Sequence, residues 1–265
     1  MVAITDQEFA QFQRFIFESA GITLSPAKKA LVSGRLARRL DLNQSTSYGE
    51  YFRLLSSGRA PQEVQMAIDL LTTNETYFFR EPKHFEFLRK QVAQFPSSQP
   101  LRIWSAAGST GEEAYSIAMM LEEVRAGHPW EVMASDISAR VLQRARAGHY
   151  PMERARNLPQ DYLRRFCLKG EGDQEGTMLV EKSLRNKVKF LQVNLNEPLP
   201  NVGTFDIVFL RNVLIYFNGD TKRKVVDRVL SVLKSGGWLL IGHSESLHGV
   251  NDSVHAAAPS IYRKP

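Results

Sequence analysis

The chain has 265 residues, of which 43% are hydrophobic and 23% charged, the bulk of an ordinary folded protein with one large domain or two modest ones. Such a composition excludes a disordered, collagenous or disulfide-stapled chain. A formal charge of +6 favours acidic partners, whether nucleic acid, an anionic membrane surface or an acidic protein face, and does not choose among them.

The first residues, MVAITDQEF, carry Asp6 and Glu8 where an export signal would be basic and then apolar. The longest apolar runs, such as 117–121 and 238–241, fall far short of the roughly 20 residues that cross a bilayer. One cysteine, Cys167, forms neither an internal disulfide nor a thiolate zinc cluster. A cytoplasmic protein is expected, and we expect a monomer.

Residues 1–94 read as an all-helical domain: Phe9, Phe12, Phe15, Ile16 and then Leu31, Leu36, Leu40 recur at helical intervals. Asp6 is the expected cap of the first helix, Gly21 its stop, and Ser25 with Pro26 the start of the next. That second helix, 27–40, holds Lys28, Lys29, Arg35, Arg38 and Arg39 with no acid until Asp41. Lys28, Arg35 and Arg39 fall within about 40° of one another on a helical wheel, which predicts an outward basic stripe. On an isolated helix such a stripe is ordinarily a solvated face. QFPSSQP, 94–100, has linker composition, and the domain boundary is expected over 95–100.

From residue 101 short apolar strands alternate with helices: LRIW, a helix over 112–125, EVMASD, a helix over 138–147, VKFLQV, FDIVFL, a helix over 220–234 and WLLIGH. The alternation predicts an α/β fold, a doubly wound parallel sheet over 101–265. Residues 151–187 break the rhythm. There GEGDQEG, 170–176, separates CLK from TMLVE, which suits a small antiparallel β insertion. PSIYR, 259–263, suits a closing antiparallel hairpin.

Four segments carry candidate chemistry. LRIWSAAGSTGEEAYSIAMML, 101–121, reads as strand, tight small-residue loop and helix, although the first glycine of G-x-G-x-x-G is absent. Asp136 ends the next strand, where a carboxylate accepts hydrogen bonds from ribose hydroxyls. Glu112 and Glu113 stand at the helix N-terminus, where they would repel a pyrophosphate. An adenosine ligand bearing a sulfonium and an ammonium suits that acidic turn, and S-adenosylmethionine is such a ligand. FDIVFLRNVLIYF, 205–217, ends a strand and offers Arg211, Asn212 and Tyr216 at the ligand edge of the sheet; alone, Tyr216 reads as a core aromatic. GHSES, 242–246, falls one residue short of the hydrolase elbow G-x-S-x-G. His243 and His248 are weak metal ligands without a second cluster, and no metal is expected.

With TTNETYFFRE (72–81), the loop at 104–119, ASDI (134–137), VNL (193–195), RNVLIYF (211–217) and GHSES in this order, the chain resembles the chemotaxis receptor methyltransferase (CheR) family over nearly its whole length. Ala114 stands where the family commonly has proline. The resemblance implies a Rossmann-like methyltransferase sheet and transfer of methyl from S-adenosylmethionine to receptor glutamates, leaving S-adenosylhomocysteine. It implies cofactor contacts from Asn74, Thr76, Arg80, Glu112, Asp136, Asn194, Leu195, Asn212 and Val213, with Tyr216 beside the acceptor and Arg80 on the carboxylate of either cofactor or substrate. It turns Lys28, Arg35, Arg38 and Arg39 toward acidic receptor methylation helices. Gly170, Gly172, Glu175 and Gly176 match the turn with which some members capture a receptor's C-terminal pentapeptide, which places the enzyme at membrane receptor arrays. The rival readings are a methyltransferase for RNA or a small molecule, and a noncatalytic cofactor-sensing or RNA-binding protein; the chain carries no RNP signature.

Overall fold

The computed structural model describes residues 2–265. Helix α1 (Asp6–Ala20) opens on a capping box: the Thr5 hydroxyl accepts from the Glu8 N–H, and the Glu8 carboxylate accepts from the Thr5 N–H. Thr5, extended and three residues before a glutamate, is therefore the cap, and Asp6 sits inside the first turn. Gly21 ends α1 at φ +71°, the left-handed conformation that glycine tolerates. Pro26 opens a 3₁₀ turn, Pro26–Lys28, without a side-chain bond from Ser25, and α2 (Lys29–Leu42), α3 (Tyr48–Ser56), α4 (Pro61–Leu71) and α5 (Pro82–Gln94) follow.

The chain then runs β1 (Leu101–Ser105), α6 (Glu112–Val124), β2 (Trp130–Asp136), α7 (Ala139–Ala147), β3 (His149–Pro151), α8 (Gln160–Phe166), β4 (Cys167–Lys169), β5 (Thr177–Val180) and α9 (Lys182–Arg185). It closes with β6 (Val188–Gln192), β7 (Phe205–Leu210), α10 (Gly219–Ser231), β8 (Leu233–Ile241), β9 (His255–Ala258) and β10 (Ile261–Arg263). The main sheet has seven strands in the order β6-β2-β1-β7-β8-β10-β9. Its first five are mutually parallel, and β10 and β9 return antiparallel. The insertion forms a separate antiparallel sheet, β3-β5-β4, beginning at His149 and thus slightly before the expected 151. None of the helices among the described residues is long and apolar enough to cross a membrane.

Both faces of the central strands are buried, which explains their near-continuous apolar sequence. Along β1, β7 and β8, Trp104, Val208 and Leu239 pack with Phe12, Ile16, Leu36 and Tyr51 of α1–α3 and Val226 of α10. Ile103, Phe209 and Leu240 face the other way, onto Phe85 and Leu88 of α5 and Ile117 of α6. Helix α5, expected with the N-terminal helices, thus belongs by packing to the sheet's second face. The QFPSSQP segment is a strapped turn, for the buried Arg125 guanidinium donates to the carbonyls of Phe95, Pro96 and Gln99. The winding reverses at β1, which lies between β2 and β7, and a crevice opens at the carboxyl ends of these strands.

Candidate functional site

A solvent-open cleft occupies that crevice. Its floor is the loop after β1, where the Gly108 N–H donates to the Ser135 carbonyl (2.8 Å) and the Ser109 N–H to Asp136 Oδ2 (2.9 Å). Gly111 starts α6 at φ +96°, and a Cβ there would lie 2.9 Å from Ala145 and 3.0 Å from the Tyr150 hydroxyl, so loop and helix close only on glycine. Asp136 ends β2 and accepts also from the Ser138 N–H (2.9 Å). Burial pushes its carboxyl up to about 6 against those backbone donors.

The segment after α4 passes over the cleft and brings Asn74, Thr76 and Arg80 to its wall. The insertion, the loop after β1 and α6 hold it there: Arg154 donates to the Thr76 carbonyl (2.8 Å), Ser109 Oγ to the Asn74 carbonyl (2.9 Å), and the Phe79 N–H to Ser116 Oγ (2.9 Å). Arg80 Nη1 donates to the Glu75 carbonyl (2.9 Å). Asn194 and Leu195 after β6, and Asn212, Val213 and Tyr216 after β7, complete the wall. Phe79, Glu81, Ser109 and Asn212 all have φ between +49° and +59°, and such strained backbone collects at functional sites.

Glu112 is not brought to the cleft. It is fully buried, accepts from the Thr110 hydroxyl (2.6 Å) and lies 3.3 Å from Arg154, and burial raises its carboxyl above the usual range. Glu113 lines the cleft instead, bonded to Ser105 Oγ (2.7 Å) and Arg211 Nη1 (2.8 Å). Helical periodicity offered no means of choosing between them, because α6 is buried on all sides over 114–121.

Arg211 is 4% exposed and anchors the site's charges. Besides Glu113 it pairs with Glu81 (3.0 Å) and donates to the Arg80 carbonyl (2.5 Å). Burial pushes the Glu81 carboxyl up, but Arg211 and bonds from the His243 N–H and the Asn212 amide outweigh it and leave it below its ordinary value. His84 and His243 face the same carboxylate; burial, with Arg211 nearby, pushes His84 down to about 4. The guanidinium already supplies this cluster with its cation.

Sequence reasoning missed Ala20 and Ile22, which also line the cleft. They arrive because Ile22 bridges Phe217, the Thr23 N–H donates to the Tyr216 carbonyl (2.8 Å) and Asn194 donates to the Ser19 carbonyl (2.7 Å). Contacts across some 175 residues leave no local signal.

The basic stripe is divided. Lys28 and Arg38 are exposed, whereas Arg39 pairs with Glu63, which also accepts from Tyr51 (2.7 Å). Arg35 donates to the Leu71 and Thr72 carbonyls (3.2 and 3.0 Å). Helix α4 lies beside α2 and presents a carboxylate and its own C-terminal carbonyls, so two of the four cations turn inward. In the insertion, Gly172 and Gly176 have positive φ and open surroundings, Glu175 is exposed, and a Cβ on Gly170 would overlap the Gln174 carbonyl at 1.9 Å. Among the described residues, strand β4 beside this turn pairs only with β5.

The segments that build the cleft lie within regions that match known families. Residues 74–262 match the CheR methyltransferase, SAM binding domain, and residues 7–72 the CheR methyltransferase, all-alpha domain. The chain is 42% identical over 264 residues to a chemotaxis protein methyltransferase of Escherichia coli (strain K12), covering 98% of this chain and 92% of the relative. It is 40% identical over 262 residues to chemotaxis protein methyltransferase 2 of Pseudomonas aeruginosa, covering 97% and 93%. A doubly wound sheet with its cleft at the switch point, matched end to end by the two domains of one enzyme, identifies the chain as a member of the CheR methyltransferase family.

Proposed function

We propose that the protein transfers the methyl group of S-adenosylmethionine to glutamate side chains of chemotaxis receptors, forming methyl esters and S-adenosylhomocysteine. The observation that carries this reading is the convergence of Asp136, Glu113, Arg80 and Tyr216 on one cleft. The donor set fits the cofactor. Asp136 is a buried carboxylate for ribose hydroxyls, Glu113 a carboxylate for a cationic ligand, Arg80 a guanidinium for a carboxylate, and Ile22, Ile137 and Val213 are apolar wall for a base. S-adenosylmethionine supplies an activated methyl group bound to a sulfonium.

The chain's own residues then have little proton chemistry to perform. A glutamate with a pKa near 4.3 is ionised at neutral pH and is its own nucleophile. Tyr216 orients that carboxylate, Arg80 holds a carboxylate of the ternary complex, and the apolar wall excludes water. Incubation of the protein with tritiated methyl donor and receptor-containing membranes should yield base-labile methyl ester; base-stable label would overturn the substrate assignment. Tyr216→Phe should lower turnover with little change in cofactor affinity. Arg80→Ala should lower both, because misplaced reacting groups cost on the order of a hundredfold. Full turnover in Tyr216→Phe would remove its hydroxyl from the site.

Receptor recognition in this reading has two separable parts. Lys28 and Arg38, the exposed members of the stripe, attract the acidic methylation helix, while Arg35 and Arg39 shape the surface beneath them. Reversing Lys28 and Arg38 to Glu should raise the apparent receptor constant and flatten its salt dependence, since exposed charges are screened over about 10 Å at 0.1 M salt. The open edge of β4 beside Gly170–Gly176 accepts a receptor C-terminal pentapeptide by backbone pairing, raising the local concentration of glutamates. Replacing residues 170–176 with Asn-Gly should abolish peptide binding and leave S-adenosylhomocysteine binding intact. Retained peptide binding would place the tether elsewhere. The enzyme would work as a monomer in the cytoplasm, recruited to membrane receptor arrays.

A further inference from the structure

GHSES, 242–246, resembles a nucleophile elbow in sequence, but its acidic residue has a different use. The Glu245 carboxylate lies under the segment that follows β7 and accepts three backbone N–H groups: Gly242 (2.6 Å) and Asn212 (2.8 Å) on Oε2, and Ile215 (3.3 Å) on Oε1. Two of these donors belong to the stretch that delivers Val213 and Tyr216 to the cleft. Asn212 has φ +57°, a conformation that side chains other than glycine adopt rarely and that persists only where the surroundings impose it. Its amide donates to Glu81 Oε1 (3.2 Å), so Asn212 is held from both its backbone and its side chain. Ile215 lies in the 3₁₀ turn Leu214–Tyr216, whose first N–H groups have no partner within the turn.

We propose that Glu245 is a positioning residue that sets the backbone of 212–216, and through it Val213 and Tyr216, for cofactor and acceptor. This deepens the reading of the cleft given above and rests on it. Gly242 belongs to the same device. A Cβ there would lie 2.5 Å from Asn212 Nδ2, 2.8 Å from Glu245 Oε2 and 3.0 Å from the Asn212 backbone nitrogen, so a larger residue would press on both side chains and on the 212 backbone. An ionised carboxylate suits the task because its two oxygens have about four acceptor sites and no donor to oppose an N–H. A glutamine presents one acceptor and an NH₂ group that repels the remaining N–H donors.

The test is backbone amide exchange combined with S-adenosylhomocysteine affinity. In Glu245→Ala the amides of Asn212, Ile215 and Gly242 should exchange faster while that of Ala106, bonded to the Phe209 carbonyl, keeps its protection. The S-adenosylhomocysteine Kd should rise about tenfold, and receptor methylation should fall on the order of a hundredfold, more in turnover than in cofactor KM. Glu245→Gln should be intermediate in each, and Gly242→Ala should reproduce the pattern without altering the carboxylate. Glu245→Gln keeps the side-chain volume and carries the test if the alanine variant does not fold. Unchanged exchange at Asn212 and Ile215, or unchanged affinity and turnover despite faster exchange, would overturn the proposal. If the wild type methylates no receptor, the substrate assignment fails, and exchange with S-adenosylhomocysteine affinity still decides the role of Glu245.

Discussion

Asp136→Ala is expected to raise the Kd of S-adenosylmethionine by about 5- to 150-fold, the loss of about 1–3 kcal/mol that accompanies removal of hydrogen bonds to a charged acceptor. Asp136 ends β2 with one bond from the Ser109 N–H on Oδ2 and one from the Ser138 N–H on Oδ1, which leaves acceptor capacity on both oxygens. Its carboxyl is pushed up to about 6 by burial, and binding that requires the ionised form must weaken on acidification. Below that value, each further pH unit costs up to about tenfold in affinity, or 1.36 kcal/mol. Stability has the opposite slope. A carboxyl whose folded pKa exceeds its unfolded one stabilises the fold at low pH, and that contribution is lost as pH rises through about 6. Calorimetry from pH 5 to 8 should give falling affinity below pH 6 in the wild type and a flat profile in Asp136→Asn. Unchanged affinity in a folded Asp136→Ala would remove this residue from the cofactor site.

Arg211→Met should be the most destabilising single change at the site, by about 3–5 kcal/mol, because it leaves the largely enclosed carboxylates of Glu81 and Glu113 without their cation. In the wild type the lowered pKa of Glu81 contributes stability that is present above its unfolded value, near 4.3, and lost on acidification through the lower folded value. In the variant the sign reverses. Without the guanidinium that lowers it, the Glu81 carboxyl is left to the upward push of burial, so the deficit should be largest at pH 8 and shrink toward pH 5, as urea unfolding at the two pH values would show. A small deficit independent of pH would mean that water replaces the guanidinium. The same substitution should impair catalysis, since Arg211 also bonds the Arg80 carbonyl.

The order of elements was legible because it is written in short spacings. Apolar residues three and four apart marked α1 and α2, the alternation of apolar strands with helices marked the doubly wound sheet, and the position of Asp136 at a strand end marked a ligand edge. Gly21 and the glycine turn at 170–176 were readable for the same reason, since a turn or a helix stop is a property of a few adjacent residues. The capping of α1 was misread by one position only: Asp6 and Thr5 are both good caps, and it was Glu8 that decided between them.

Tertiary structure alone decided which of two adjacent glutamates enters the cleft, because a helix buried all round has no distinguishable face. It decided that Arg39 and Arg35 turn inward, since Glu63 and the end of α4 lie 24 and 36 residues away. It brought Ala20 and Ile22 of the helical region to a pocket built by the sheet, and it joined Glu81 to Arg211, 130 positions apart in the chain. Composition and periodicity record what each residue needs, water or burial, helix or strand; which partner satisfies a buried charge depends on the crossing of elements distant in the chain, and the parallel sheet order determines that crossing.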